Sequence, residues 1–320
     1  MIRRFVLAGL IASVLIATTV KESAAAYEWV NRAPAGNGCF PPKCVEGQFP
    51  MAVMPVPAFD GKLWSVGQSA VWSSHDGTTW RSEPKTDWGE RHGMEFVFFR
   101  NKLWMLAGMR SWADFRNDVW SSSDGKKWTQ ITVNAPWSAR RGHRVVVFND
   151  RLWLLGGAVS SGRVDQTPTG WLNDIWASED GVRWTQVTAS AAWPPRGDHS
   201  AFAFDGKLWV VGTPQSSDVW SSADGKKWTR MTEKAPWGIR QGNGTLVFDE
   251  RMWIIGGREL NDVWSSKDGK SWEAERNAPW STRSAIYSVV FNGGIWLFSG
   301  KTGREDSWAG DIWEMRRSGS

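Results

Sequence analysis

The chain has 320 residues, with 38 Lys plus Arg against 33 Asp plus Glu, two Cys and 26 Trp. At 41% hydrophobic and 22% charged it carries enough apolar surface to offset chain entropy, which excludes a disordered protein. The net charge of +5 is modest and its basic residues are scattered, which argues against a nucleic-acid groove.

In chain order, residues 1–26 read as a secretory signal. Arg3 and Arg4 make a basic start, Phe5 to Val20 is an apolar run, and Ala24-Ala25-Ala26 offers a small-residue cleavage site. The run falls short of the ~20 residues that span a bilayer, and no later segment is apolar enough to insert. The expectation is a monomer beginning at Tyr27, periplasmic or secreted. In that oxidising compartment Cys39 and Cys44 read as a disulfide that stiffens one loop around Pro41 and Pro42.

The tryptophans expose an internal repeat. A first set comprises Trp64, Trp104, Trp153, Trp209, Trp253 and Trp296; a second, Trp72, Trp120, Trp176, Trp220, Trp264 and Trp313. A third lies four residues after the Asp of an Asp-Gly pair: Trp80, Trp128, Trp184, Trp228 and Trp272. The fourth, commonly after Ala-Pro, is Trp88, Trp137, Trp193, Trp237 and Trp280. Each unit holds four short runs with strand character separated by tight-turn residues such as Asp60-Gly61 and Asp205-Gly206.

Four antiparallel strands repeated six times predict an all-β fold, a six-bladed β-propeller. The blades fall at approximately 48–86, 87–135, 136–191, 192–235, 236–278 and 279–320. The last unit ends without a fourth strand, and residues 27–34 resemble one. The expected ring therefore closes by pairing the amino terminus into blade 6, which removes the exposed sheet edges. Residues 35–47 form a Cys loop between this strand and blade 1.

On these residues the chain resembles bacterial kelch-repeat propellers: Gly156-Gly157 and Gly256-Gly257 after the second strand, Arg140 with His143 and Arg196 with His199 before the first, and Trp in the third. A second likeness is to the Asp-box of sialidase propellers, in Ser122-Ser123-Asp124-Gly125-Lys126-Lys127-Trp128, one residue shorter between Asp and Trp than usual. Both motifs describe how a blade folds. Kelch-like propellers include oxidases, sugar epimerases and binding platforms, so function must come from the site.

Spacing locates the variable face. From fourth-set to first-set Trp the step is 16 in all five cases, whereas first-set to second-set runs 8, 16, 23, 11, 11 and 17. Length variation therefore falls between strands two and three, on the face that also carries the blade-to-blade links. The elaborated loops come from blades 6, 2 and 3, with the Cys loop entering blade 1, and such loops are where binding usually resides. The expected ligand-binding residues are Arg91, Arg140 and Arg283 at the channel mouth, with Trp112, Phe115, Arg163, Trp171, Arg304 and Trp308 in the loops. Arg196 and Arg240 share the same register, three residues after the fourth-set Trp, and a structural role is the alternative for the whole register.

The resulting expectation is binding of an acidic saccharide or an exported protein segment through the loop-bearing face, with no cofactor and no metal. The runner-up, implied by the kelch resemblance, is an acidic-sugar epimerase, mutarotase or lyase. Its acid or base would come from Glu259, Glu305, Asp114 or Asp165 in the loops between strands two and three. A scaffold for exported proteins comes third.

Overall fold

The computed structural model describes residues 27–33, 38–39, 49–50, 54–67, 70–159, 170–275, 278–303 and 307–319. The expected signal segment lies outside them. Six four-stranded antiparallel sheets form a ring; the first five run from an inner strand outward in chain order, and the sixth takes its outer strand from the amino terminus. In blade 3, for example, Arg144–Phe148 pairs with Arg151–Ala158, then Trp171–Ser178, then Thr185–Thr188. The inner strands of neighbouring blades adjoin in cyclic order, and the ring closes where Tyr287–Phe291 meets Met54–Phe59.

Two-residue turns join the first and second strands. Both central residues sit at positive φ in Asp60-Gly61, Arg100-Asn101, Asn149-Asp150, Asp205-Gly206, Asp249-Glu250 and Asn292-Gly293. That left-handed pair matches the twist of a hairpin and explains the Asn, Asp and Gly bias. A second turn joins strands three and four. There Ser122 Oγ accepts the Gly125 amide at 2.8 Å, and Asp124 Oδ1 accepts the Lys126 and Lys127 amides at 2.8 Å. The same bonds recur at Asp76, Asp180, Asp224 and Asp268. Burial opposes the Asp180 charge, but these amides outweigh it and hold the carboxyl down at about 2.

The glycine of each such turn lies against the first-set Trp of the preceding blade. A Cβ on Gly77, Gly125, Gly181, Gly225 or Gly269 would come within 3.0 Å of Trp296, Trp64, Trp104, Trp153 or Trp209 respectively. One contact between blades thus fixes both residue types at five of the six junctions. Within blades 2 to 5, third- and fourth-set rings meet edge to face, as in Trp128 against Trp88 at 4.5 Å and Trp228 against Trp193 at 5.9 Å. Such pairs contribute about 0.5–1.5 kcal/mol beyond burial.

The amino terminus completes blade 6. Tyr27–Ala33 pairs antiparallel with Ile312–Arg317. Trp29 meets Trp280 edge to face at 4.3 Å, taking the third-set position. Tyr27 sets its ring on Trp253 at 5.0 Å, where the other blades place a turn glycine, and donates its hydroxyl to Asp249. Two residue pairs, Gly38 with Phe49 and Cys39 with Pro50, join in a short parallel bridge that brackets the Cys loop. Cys44 and the side chain of Cys39 lie outside the described residues.

Candidate functional site

The arginine register belongs to the scaffold. Arg140 donates to Asp174 at 2.7 and 2.8 Å and to the Gly156 carbonyl at 2.8 Å, with its side chain fully buried. Asp174 also accepts the Trp176 indole N–H at 2.8 Å. The same clamp recurs as Arg91 with Asp118 and Trp120, Arg196 with Asp218 and Trp220, Arg240 with Asp262 and Trp264, and Arg283 with Asp311 and Trp313. Burial opposes the Asp218 and Asp311 charges, yet the arginine and indole outweigh it and both carboxyls lie below their usual value. Arg140, Arg196 and Arg240 also stand over Trp137, Trp193 and Trp237 at 5.5 to 6.0 Å. The ligand-binding expectation for Arg91, Arg140 and Arg283 is therefore corrected: both amino groups of each are spent on an internal carboxylate, and none is exposed beyond 1%.

The sequence of blade 1 carries none of the clamp residues. Gln48, Met51 and Ala70 occupy the sequence positions that hold Trp, Arg and Asp in the other five blades. All three members are missing together, as expected of residues that depend on one another.

The loop residues divide. Trp112 ends the long strand pair Lys102–Ser111 and Asp114–Ser122 and is 58% exposed. Phe115 is half-buried opposite Met109. Trp171 is half-buried opposite Ala158, and Trp308 packs on the cluster that joins blades 6 and 1. Arg163 and Arg304 lie outside the described residues.

The chemistry gathers lower down, at the start of the inner strands. A cavity of about 400 Å³ opens there on the central channel, lined by residues of blades 2 to 6. Nine residues before the first-set Trp, the repeats place Glu95, Arg144, Ser200, Gly244 and Tyr287, all on the cavity wall. Scaffold positions hold the same residue from blade to blade, whereas this ring holds a different one in each. Thr245 and Ser288 add further hydroxyls, and Ser200 Oγ lies 2.8 Å from Thr245 Oγ1.

Arg144 is the electrostatic hub. It donates to Glu95 at 3.1 and 3.4 Å and to the His199 carbonyl. Burial pushes the Glu95 carboxyl above its usual value despite Arg144, and burial alone raises the Tyr287 phenol. His143 and His199 are buried and neutral. Burial, then Arg140 and Arg144, holds His143 down at about 3; burial, then Arg196, Arg144 and His143, holds His199 well below its usual value. Among the described residues, no three metal-ligating groups converge.

Above this ring the rim is a belt of left-handed backbone, at Gly93, Gly142, Asp198, Gly242 and Ala285. The Gly142 amide bonds the Gly93 carbonyl at 3.1 Å, and the Asp198 amide bonds the Gly142 carbonyl at 2.8 Å. Asp198 thereby turns a carboxylate to the channel mouth, where Arg141 meets it at 3.3 Å. Glu95, Arg141, Arg144, Asp198, Ser200 and Tyr287 were not among the residues expected from sequence. Their signal is divergence at a fixed distance from a conserved repeat Trp.

Larger grooves on the opposite face belong to the repeat. One of about 720 Å³ is lined by Arg151, Glu179, Asp180, Arg183 and Lys226, and its counterpart of about 560 Å³ by Lys62, Asp76, Arg81, Glu83 and Lys126. Their recurrence marks them as seams between blades.

A family described as the DUF6242 beta propeller domain matches residues 122–241, under half of the chain. The solved structure of YjhT aligns with a TM-score of 0.68 at 13% identity, covering 84% of this chain and 95% of that one. At that identity the likeness is one of fold. No curated protein matches.

Proposed function

We propose that the chain is an exported kelch-like propeller that binds a saccharide at the mouth of its channel, on the loop-bearing face. The observation that carries this reading is the ring of Glu95, Arg144, Ser200 and Tyr287, divergent in chemistry at equivalent positions of an otherwise repeating scaffold. A concave site with a few convergent polar groups on a rigid frame suits a small hydroxyl-rich ligand. The arginine and carboxylate charges pair off, Glu95 with Arg144 and Asp198 with Arg141. An acidic sugar therefore gains a guanidinium only by displacing one of these carboxylates, and the reading moves toward neutral sugars. Export is carried by residues 1–26 and is tested by the intact mass of the purified native protein.

The test is a glycan array probed with residues 27–320, including neutral and uronic and sialic acid sugars. Saccharide hits that Tyr287→Phe and Ser200→Ala weaken support the site; a blank array removes the saccharide reading in favour of a protein segment. One observation favours catalysis as the second reading: Glu95, whose carboxyl burial raises, faces the same cavity as Tyr287 and fits acid–base work better than Asp114, which is tied to Arg116 at 2.7 Å. Turnover lost in Glu95→Gln with binding kept supports it.

A further inference from the structure

We propose that Trp112 is the stacking platform of a pyranose subsite on the rim of the channel. The inference rests on the saccharide reading and adds the ring face by which the sugar is held.

Among the described residues Trp112 is the one tryptophan that is exposed. Its place is built. It caps two long paired strands, with the Ala113 amide donating to Ser111 Oγ at 3.3 Å and Asp114 paired to Arg116. Just below, Arg110 donates to the Trp88 carbonyl at 3.1 Å. The Arg141 guanidinium stands over the indole at 5.2 Å from its centroid. Arg141 is itself fixed, by backbone pairing with Ala158 and by its bond to Asp198. Holding an exposed ring in place gains the fold little, because a cation over an exposed aromatic contributes only about 0.5–1 kcal/mol.

The anchor adjoins the channel through its neighbours. Asp198 and Gly142, the neighbour of Arg141, both line the cavity. Asp198 holds φ 53° where three other blades use glycine, a left-handed position that Asp tolerates better than most side chains and that here presents a carboxylate. The Arg141 guanidinium takes one face of the indole, so a sugar ring takes the other, solvent-exposed face. Pyranoses fit this arrangement because one face of the ring exposes C–H groups, which pack on an electron-rich π face, while the edge carries hydroxyls.

The experiment is saturation-transfer difference NMR with methyl β-D-galactopyranoside and methyl β-D-glucopyranoside, with affinities by calorimetry, on wild type, Trp112→Ala, Trp112→Phe and Tyr287→Phe. Expected is strongest transfer to the C–H protons of one sugar face. Trp112→Ala should lose affinity about tenfold at an unchanged melting temperature, and Trp112→Phe should recover most of it. If a pyranoside binds and Tyr287→Phe weakens it while Trp112→Ala does not, the platform is wrong and the channel reading stands. If neither pyranoside nor any arrayed glycan binds wild type, both fall. Transfer only to an aromatic test ligand, benzyl alcohol, overturns the sugar assignment.

Discussion

Removing one member of the buried clamp tests the architecture most sharply. In Asp174→Ala, Arg140 keeps the Gly156 and Ser138 carbonyls but loses its carboxylate, inside a site where its side chain has no exposure. Stranding a buried charge in this way costs about 3–5 kcal/mol. The Trp176 indole N–H, which bonds Asp174 at 2.8 Å, loses its acceptor as well, a further cost of about 1 kcal/mol or more. The expected loss of about 4–6 kcal/mol is a large part of the 5–15 kcal/mol typical of a folded domain. The double variant Arg140→Met with Asp174→Ala copies Met51 and Ala70 of blade 1. It removes the stranded charge and should cost at least about 2 kcal/mol less than the single change. Urea melts of wild type, both single variants and the double variant supply the cycle. Additive losses, or a single-variant cost below about 1 kcal/mol, would refute the clamp.

Three further outcomes follow from the same geometry. Gly225→Ala forces a Cβ into Trp153 at φ 70° and should cost about 2–5 kcal/mol, whereas Gly206→Ala, at φ 65° with open space, should cost about 1–2; equal melting temperatures would contradict the seam between blades. Deleting residues 27–33 leaves blade 6 without its outer strand and Trp253 without Tyr27, and should give an unfolded or aggregating product; a monomer of unchanged melting temperature would refute closure. His143 and His199 fold neutral with depressed pKa, so below about pH 6.5 the unfolded chain takes up protons that the folded chain refuses. Stability is then complete above pH 6.5 and declines toward about pH 3, by about 2 kcal/mol per histidine between pH 6.5 and 5. Denaturant melts that stay flat over that interval would contradict their neutral burial.

The ring of blades and its closure were legible because both rest on short-range chemistry. Asp60-Gly61 can only be a left-handed turn, and Trp29 repeats the setting of Trp128. The arginine register was equally visible but its purpose was not, since Asp174 follows Arg140 by 34 residues whereas Asp218 follows Arg196 by 22. Loop length obscures that pairing; measured instead from the second-set Trp, the Asp of blades 2 to 6 stands two residues before it. The channel ring was not legible, for the opposite reason. Glu95, Arg144, Ser200 and Tyr287 share no residue type, so a search for conserved features of the repeat passes over them.

The most direct test of the channel site is the affinity of the best-binding glycan for two variants. In one, Glu95→Leu is combined with Arg144→Leu, which removes the central pair without stranding a charge. In the other, Arg183→Ala alters the opposite-face groove. The account predicts at least tenfold weaker binding for the first and unchanged binding for the second. Full affinity in the channel variant, or loss in the groove variant, would place the ligand elsewhere and contradict it.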